Sequence, residues 1–241
     1  MNVSINTAVF LEAMQNGVAQ SDCVQVLAGM AIDAIEVRGE FFKPETKAQE
    51  LAAIAEFCQA QNFDFYYSVP EELFTATGLN PSLTENLAMA QKYQIKGLKY
   101  SFGTLPTLNQ TELETLKKIS TTNVAVTIEN QPNQNGVLAT FVKDLTWVQE
   151  NKLPLGYTFD SGNWYWIDEK PETAFAALKD QVTIFHLKDI KDQDTVLLGE
   201  GLTDWQSLVQ QLKPTSPVFL EYAIQPAALN DQIQLVNKLL N

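Results

Sequence analysis

Residues 155–188, LGYTFDSGNWYWIDEKPETAFAALKDQVTIFHLK, contain the pattern that decides the fold. An apolar segment, Leu155–Asp160, is followed by a helical stretch that begins at Pro171, and then by a second apolar segment, Val182–Lys188. Proline is favoured at the first position of a helix because an N–H at that position has no intrahelical partner. The two apolar segments are rich in the aromatic and β-branched residues of strands buried on both faces. The stretch therefore predicts one β–α–β unit of a parallel sheet.

The same alternation of strand and helix runs through the rest of the chain. Pro226 marks another helix start. We predict a short first helix over residues 21–30, and a capping box of Thr203 and Gln206 at the start of the helix that follows them. Eight predicted strands are separated by helical stretches: Val3–Thr7, Ala34–Arg38, Phe63–Ser68, Ile95–Phe102, Asn123–Glu129, Leu155–Asp160, Val182–Lys188 and Val218–Tyr222.

Eight β–α pairs favour a closed barrel over an open, doubly wound sheet. The length of 241 residues is near that of one such barrel, and no linker or low-complexity segment interrupts the chain. We therefore predict an α/β protein with one domain, residues 1–241, folded as a single (β/α)8 TIM barrel.

Charge and cysteine content limit the partners and the compartment. The formal net charge of −13 would repel nucleic acid and an anionic membrane surface, so we expect neither as a partner. No segment has the pattern of a secretory signal or the length of a membrane span. Cys23 and Cys58, the only cysteines, lie in apolar, helical-looking stretches, so we expect buried, reduced thiols in a cytoplasmic protein.

Polar residues at the predicted strand ends mark where the chemistry should lie, because the C-terminal ends of barrel strands meet at one rim. Three carboxylates and the only histidine end the fifth to eighth strands: Glu129, Asp160, His186 and Glu221. Carboxylates that converge in this way repel one another unless a cation lies among them. Three carboxylates and one imidazole suit Mn²⁺, Co²⁺ or Mg²⁺, with Zn²⁺ as a further alternative.

Each of these four residues also has an ordinary interpretation when it is taken singly. A carboxylate at a strand end is often a helix cap or half of an ion pair, and a lone histidine such as His186 is more often a hydrogen-bonded structural residue than a ligand. The coincidence of all four at consecutive strand ends favours a metal site.

Six short pieces occur in order over nearly the whole chain: IEVR (35–38), VTIENQ (126–131), FDSGN (159–163), FHLKD (185–189), GEGLTDW (199–205) and FLEY (219–222). As an ordered set they resemble the xylose-isomerase-like barrel superfamily of sugar isomerases and epimerases. The resemblance implies that one divalent metal, with Mn²⁺ as the first candidate, is bound by Glu129, Asp160, His186 and Glu221. It also implies that Glu36 faces the pocket, and that Lys188 contacts substrate oxygens or supports the site.

Two departures from the superfamily pattern narrow the expected activity. Asn163 stands where many of the epimerases have a histidine, three positions after the metal-binding aspartate. A single histidine cannot build the three-zinc site of the superfamily's endonucleases, nor supply the histidine that xylose isomerase uses near its first strands. An epimerase or isomerase with a variant site is left.

The expected function is metal-dependent isomerisation or epimerisation of a ketose or related polyol by proton transfer through an enediolate, a step of carbohydrate metabolism. Glu129 and Glu221, each with one oxygen free, would remove and return the proton. The expected partner is a small-molecule sugar or polyol, preferably unphosphorylated, and the chain could form a homo-oligomer. Two alternatives stay open: an inosose-type dehydratase of a keto-polyol, and a catalytically silent sugar-binding barrel.

Six residues are candidates for substrate binding: Glu36, Arg38, Lys99, Asn163, Trp164 and Lys188. Arg38 could hold a substrate anion or pair with a neighbouring acid, Glu36 or Glu40. The aromatic run 164–166 either forms a wall for a sugar or packs a helix against the barrel. Residues 199–201, Gly-Glu-Gly, are interpreted as a flexible rim loop rather than a dinucleotide fingerprint.

Overall fold

The wall of the molecule is a closed, eight-stranded parallel barrel in the computed structural model of the chain, which describes residues 1–241. Strand β8 pairs with β1, and β2 pairs with β3, so the sheet closes on itself. The predicted (β/α)8 fold is therefore confirmed. The barrel strands are β1 (Ser4–Asn6), β2 (Ala34–Arg38), β3 (Asp64–Thr75), β4 (Gly97–Gly103), β5 (Ala125–Glu129), β6 (Gly156–Asp160), β7 (Val182–Leu187) and β8 (Val218–Leu220).

Helices follow the strands around the outside of the barrel. Pro171 and Pro226 are the first residues of α7 and α9, as their positions in the sequence predict. The nine helices are α1 (Leu11–Gln15), α2 (Gln20–Cys23), α3 (Lys47–Gln61), α4 (Leu83–Lys92), α5 (Gln110–Lys118), α6 (Leu138–Glu150), α7 (Pro171–Leu178), α8 (Trp205–Gln210) and α9 (Pro226–Leu240).

Two predictions about helices are wrong. Instead of one helix over residues 21–30, α2 passes into a 3₁₀ turn at Val24–Leu27. The predicted capping box is also absent, because the carboxylate of Asp204 caps α8 by accepting from the backbone N–H of Ser207 at 3.4 Å. Thr203 instead donates its backbone N–H to Asp189 at 3.0 Å.

Two hairpins extend beyond the barrel wall, and the sequence predicts neither of them. Strand β3 extends to Thr75 and forms a hairpin with Gly78–Leu79. After β7, the chain forms a second hairpin from Asp189–Lys191 and Asp194–Val196. The second hairpin directly follows the end of β7, so it belongs to the rim where the predicted site lies.

Aromatic rings fill the core between β6, β7 and the helices outside them. Phe159 and Phe185 stack with ring centroids 5.4 Å apart, and Phe175 of α7 packs edge-on against both rings. Each of these buried rings contributes about 1.5–3 kcal/mol relative to an exposed one. This packing holds the two strands that end in Asp160 and carry His186.

Neither cysteine forms a disulfide, and both thiols are buried, as the sequence predicts. None of the helices combines the length and the apolar character that crossing a membrane requires.

Candidate metal centre

The four predicted metal ligands meet at the C-terminal mouth of the barrel. Glu129 and Asp160 end β5 and β6, His186 lies in β7, and Glu221 follows β8. All four are buried, and one ligand atom from each lies within 4.8 Å of the others. His186 Nδ1 is 2.9 Å from both Glu129 Oε1 and Glu221 Oε2. Strand register explains the convergence, because Asp160 pairs directly with His186 across β6 and β7.

The atoms at the centre of this group fit a divalent metal ion. Glu129 Oε1, His186 Nδ1 and Glu221 Oε2 are buried and have no hydrogen-bond partner, because their short separations are not aligned for hydrogen bonds. Buried polar atoms are nearly always satisfied, and of these three only Glu221 Oε2 has an ammonium beside it, Lys188 Nζ at 3.0 Å, so the facing atoms fit a shared metal ion. Carboxylate oxygens and one imidazole nitrogen suit Mn²⁺, Mg²⁺, Co²⁺ and Zn²⁺, and this donor set does not select one of them.

The remaining oxygens of the two glutamates are already occupied. Lys99 Nζ donates to Glu129 Oε2 at 2.8 Å. Glu221 Oε1 accepts from Arg38 Nη1 at 3.1 Å and from Asn6 Nδ2 at 3.2 Å. The expectation that each glutamate keeps a free oxygen is therefore wrong. Each glutamate directs one oxygen at the place where the four ligand atoms converge, which we call the metal point. Its other oxygen accepts a hydrogen bond from a cationic side chain.

The ammonium of Lys188 forms ion pairs with two of the carboxylate oxygens that face the metal point. Its Nζ is 2.6 Å from Asp160 Oδ2 and 3.0 Å from Glu221 Oε2. The other oxygen of Asp160 accepts from the backbone N–H groups of Gly162 and Asn163 at 2.8 and 3.0 Å. Asp160 Oδ2 is thus the oxygen available to a metal, and Lys188 now holds it.

Glu36 supports the histidine instead of lining an open pocket. It has no exposed surface, and its Oε1 accepts from Asn6 Nδ2 at 2.6 Å. The same oxygen is 3.1 Å from His186 Nε2, the ring nitrogen that faces away from the metal point. The expectation that Glu36 faces the pocket is therefore wrong, because its carboxylate is enclosed between β1 and His186.

Comparison with known proteins gives the fold a name. No protein-family model matches the sequence, and no curated protein is similar enough in sequence to be matched. Among solved structures, a D-tagatose 3-epimerase-like protein is 16% identical with a TM-score of 0.71, covering 100% of this chain and 97% of its own. A xylose isomerase domain containing protein from Salmonella typhimurium LT2 is 14% identical with a TM-score of 0.69, again covering 100% and 97%. The chain has the xylose-isomerase-like barrel fold.

A third solved structure has the same fold over the same extent. It is the probable 3-DHS dehydratase involved in petrobactin synthesis from Bacillus anthracis, 17% identical with a TM-score of 0.67, and the match covers 98% of each chain. The resemblance drawn from the six sequence pieces is confirmed at the level of the fold.

Beside the metal point, this xylose-isomerase-like barrel has a small pocket of about 180 Å³. Larger depressions of about 350 and 430 Å³ lie elsewhere, one beside α1 and one between α3 and α4, and none of the four ligands lines them. The smaller pocket is therefore the candidate substrate site, because it is lined by the ligand Glu221. Its polar and aromatic lining is Arg38, Asn163, Trp166, Lys188, Thr195, Glu221 and Tyr222.

Trp164, predicted to bind substrate, is a core residue. Its side chain is fully buried, with ring centroids 5.7 Å from Phe159 and 6.3 Å from Phe141. Trp166 is 41% exposed and lines the pocket with Asn163. The reason is a 3₁₀ turn over Asn163–Ile167, because residues three apart share a face in such a turn. The packing interpretation of the aromatic run is therefore confirmed for Trp164, and the sugar-wall interpretation stays a prediction, now for Trp166.

The loop after the second hairpin is anchored, which contradicts its interpretation as a flexible segment. Asp189 Oδ2 accepts from the backbone N–H groups of Gly199 and Gly201 at 2.9 and 3.0 Å. Its Oδ1 accepts from Thr203 N and Ile190 N, each at 3.0 Å. A Cβ at Gly201 would lie 2.1 Å from Asp189 Oδ1, so the close approach requires glycine. The functional site thus includes a loop anchor that the sequence analysis missed.

The charges of the site shift the pKa values of its ligands in opposite directions. Burial alone would lower the pKa of His186, but the carboxylates of Glu221 and Glu36 raise it well above its ordinary value. Burial would raise the pKa of Glu129, but Lys99 and His186 lower it to about 2. Burial raises the pKa of Asp160 to about 6 against the opposing effect of Lys188. Without a metal, the site therefore holds an imidazolium beside ionised glutamates.

Proposed function

We propose that the chain is a metal-dependent isomerase or epimerase that moves a proton at the carbon next to the carbonyl of a small sugar or polyol. The observation that carries this proposal is the convergence of unsatisfied atoms of Glu129, His186 and Glu221 beside a small polar pocket. The likeness to a D-tagatose 3-epimerase-like protein supports it.

The ion would be held by Glu129, Asp160, His186 and Glu221. An ion bound by these residues would supply Lewis-acid polarisation of a substrate carbonyl, which would make the neighbouring carbon-bound hydrogen more acidic. Asp160 is short, and two backbone N–H groups fix it, so its role is to hold the ion. The pocket residues Asn163 and Thr195 would donate to substrate hydroxyls.

Glu129 and Glu221 are the proton carriers in this proposal. The pKa of each carboxyl lies below its ordinary value, so both are ionised near neutral pH. To accept a proton, Glu129 would exchange its bond to Lys99 for the proton of the substrate. Glu221 in the same role would exchange its bonds to Arg38 and Asn6 for that proton. One carboxylate takes the proton from carbon, and the C–H electron pair moves toward the carbonyl oxygen. Return of a proton to the opposite face of that carbon gives an epimer. Return to the former carbonyl carbon, with the hydroxyl proton passing from one oxygen to the other, gives an isomer.

A dehydratase is the second candidate, supported by the likeness to the probable 3-DHS dehydratase. Its first step is the same proton removal, after which a hydroxide leaves the adjacent carbon as water. Lys188 lines the pocket and carries an ammonium that can protonate the leaving hydroxyl. Product analysis separates the two reactions, because only the dehydratase loses water.

Hydrogen exchange in D2O tests the proposed function directly. The protein is freed of metal with a chelator, reloaded with Mn²⁺ or Mg²⁺, and incubated with a panel of ketoses and keto-polyols. We expect metal-dependent deuterium incorporation next to the carbonyl, observed by mass spectrometry. Glu56→Gln, on the exposed face of α3, is the control and should exchange like the unmodified protein. A metal-loaded protein that binds these compounds without exchange would instead be the silent sugar-binding barrel.

A further inference from the structure

Positive charge is in surplus beside the metal point once a metal is bound. Four buried carboxylates belong to the site, and three cations pair with them: Lys99, Lys188 and Arg38. With a neutral imidazole as ligand, these groups sum to one negative charge, and a divalent ion changes the sum to one positive charge. Glu40 also pairs with Arg38 and balances this charge while it stays there, but its side chain is 35% exposed, so a substrate anion can take its place. The loaded site therefore favours one further negative charge.

Lys188 loses its partners when a metal enters. Its Nζ is held by Asp160 Oδ2 and Glu221 Oε2, two of the oxygens that face the metal point. A divalent ion on these oxygens repels the ammonium and takes over its counter-charges. Because Lys188 lines the 180 Å³ pocket, its ammonium can turn into that space. There it needs a new acceptor.

Arg38 lies on the same pocket. Its guanidinium is 28% exposed, and its Nη1 is 3.1 Å from Glu221 Oε1. Its Nε and Nη2 are 2.7 and 2.6 Å from Glu40 Oε1, a partly exposed carboxylate that a substrate carboxylate would replace. The planar guanidinium is suited to two-point binding of a carboxylate, and an ammonium beside it adds to the attraction. The Nε–Nη2 edge of Arg38 holds the carboxylate of Glu40 in this structure, so a substrate carboxylate suits the same edge.

We propose that the substrate of this site is a keto sugar acid, whose carboxylate is bound by Arg38 and by the Lys188 ammonium that the metal displaces. This inference rests on the proposed function and names its substrate class. It requires that metal and carboxylate bind cooperatively, because each supplies the charge that the other needs.

Calorimetric binding of matched sugar pairs tests the substrate class. The pairs are D-fructuronate with D-fructose and D-tagaturonate with D-tagatose, which differ by oxidation of the terminal carbon, each measured with and without Mg²⁺. With Mg²⁺, we expect at least one acid to bind on the order of tenfold more tightly than its neutral partner, the effect of one added charged hydrogen bond. The acid should in turn raise Mn²⁺ affinity, measured by electron paramagnetic resonance of free Mn²⁺.

Substitutions locate the preference in Arg38. Arg38→Gln should abolish the preference for the acid, measured as the ratio of acid to neutral-sugar affinity within the same variant, while Arg38→Lys keeps the charge and should lose only part of that ratio. Lys96→Gln removes the same charge from an exposed ion pair with Asp64 at the opposite end of the barrel, and should change nothing.

Two results would overturn the assignment. One is the absence of an acid preference in both pairs, which includes the absence of any detectable binding. The other is tighter binding of D-fructose 6-phosphate than of either acid, which would point to a phosphate instead. Deuterium exchange of a neutral ketose with no acid preference would remove this inference alone. A failure of the protein to bind Mn²⁺ would remove the proposed function.

Discussion

Glu129 and Glu221 have the same residue type but different neighbours. Lys99 holds the outer oxygen of Glu129, whereas Arg38 and Asn6 share that of Glu221. Asp160 differs from both, because backbone N–H groups fix one oxygen and its reach is shorter. Substitutions of the three carboxylates are therefore expected to have different effects on proton transfer and on metal binding.

Neutral variants of the ligands should separate proton transfer from metal binding. Glu129→Gln and Glu221→Gln keep a potential ligand oxygen but remove the base, so each should lower the exchange rate on the order of 10²–10⁴-fold. Asp160→Asn should weaken Mn²⁺ binding first, and excess Mn²⁺ should partly restore the rate. Exchange rates measured against Mn²⁺ concentration distinguish the two patterns. A double glutamine variant that exchanges at the unmodified rate would rule out both residues as carriers.

Metal binding should release protons in a pH-dependent number. The raised pKa of His186 keeps its imidazole protonated at pH 7 without metal, so ligation must expel that proton. The pKa of Asp160, about 6, adds a second proton below that pH. The number released should therefore rise from about one at pH 7 toward two near pH 5, and metal affinity should fall as pH falls. Calorimetry in buffers of different ionisation enthalpy counts these protons, and no release at pH 7 would contradict the prediction.

Among the elements, those with a regular hydrophobic periodicity could be predicted from the sequence. Those that depend on particular side-chain hydrogen bonds could not. Strand β2 has the bounds that its apolar run predicts, since buried parallel strands carry a continuous apolar signal. The hairpin after β7 depends on Asp189, whose four backbone partners are brought together by the folded loop. The positions of Trp164 in the core and of Trp166 in the pocket depend on the register of a 3₁₀ turn, which no sequence periodicity predicts.

The anchor of the rim loop can be tested with a nearly isosteric change. Asp189→Asn replaces one acceptor oxygen with a donor that faces backbone N–H groups. Each oxygen accepts from two backbone N–H groups, so we expect a loss of at least about 1.5–3 kcal/mol in unfolding free energy, the range for one of the two charged hydrogen bonds that are broken. Urea unfolding measures the loss, and faster amide exchange at Gly199 and Gly201 locates it. Asp192→Asn in the same hairpin is exposed and should be silent. Equal stability of the two variants would show that the anchor contributes nothing.

At the scale of the whole molecule, the strand ends explain why the four ligands could be chosen from sequence. A barrel brings consecutive strand ends to one rim, so Glu129, Asp160, His186 and Glu221 needed only the correct strand count. Their partners could not be chosen in this way. Arg38 and Lys99 reach the site from other strands, and which carboxylate each one meets depends on side-chain conformation.

The whole barrel should be stabilised by its metal, because the ligands come from four different strands. At a metal concentration 100 times the dissociation constant, the gain is about 2.7 kcal/mol. For a chain of this length, that corresponds to a rise in Tm of about 5–10 °C. Differential scanning calorimetry with Mn²⁺ and then with excess chelator measures the rise and its reversal. Asp160→Asn should show a smaller rise at the same Mn²⁺ concentration, and an unchanged Tm in the unmodified protein would contradict a four-strand site.

The two halves of the barrel contribute different things to the mouth. All four donor residues lie between 129 and 221, whereas Asn6, Glu36, Arg38 and Lys99 lie in the first half of the chain. The second half of the chain thus supplies the metal ligands. The first half supplies most of the side chains that pair with those ligands. A chimera that takes residues 1–121 from another such barrel should still bind Mn²⁺, with an affinity changed by up to about 10–100-fold, and should change which sugar it prefers. Titrating the chimera with Mn²⁺ and then with neutral and acidic sugars would show whether the ligands of one half bind Mn²⁺ without the original first half.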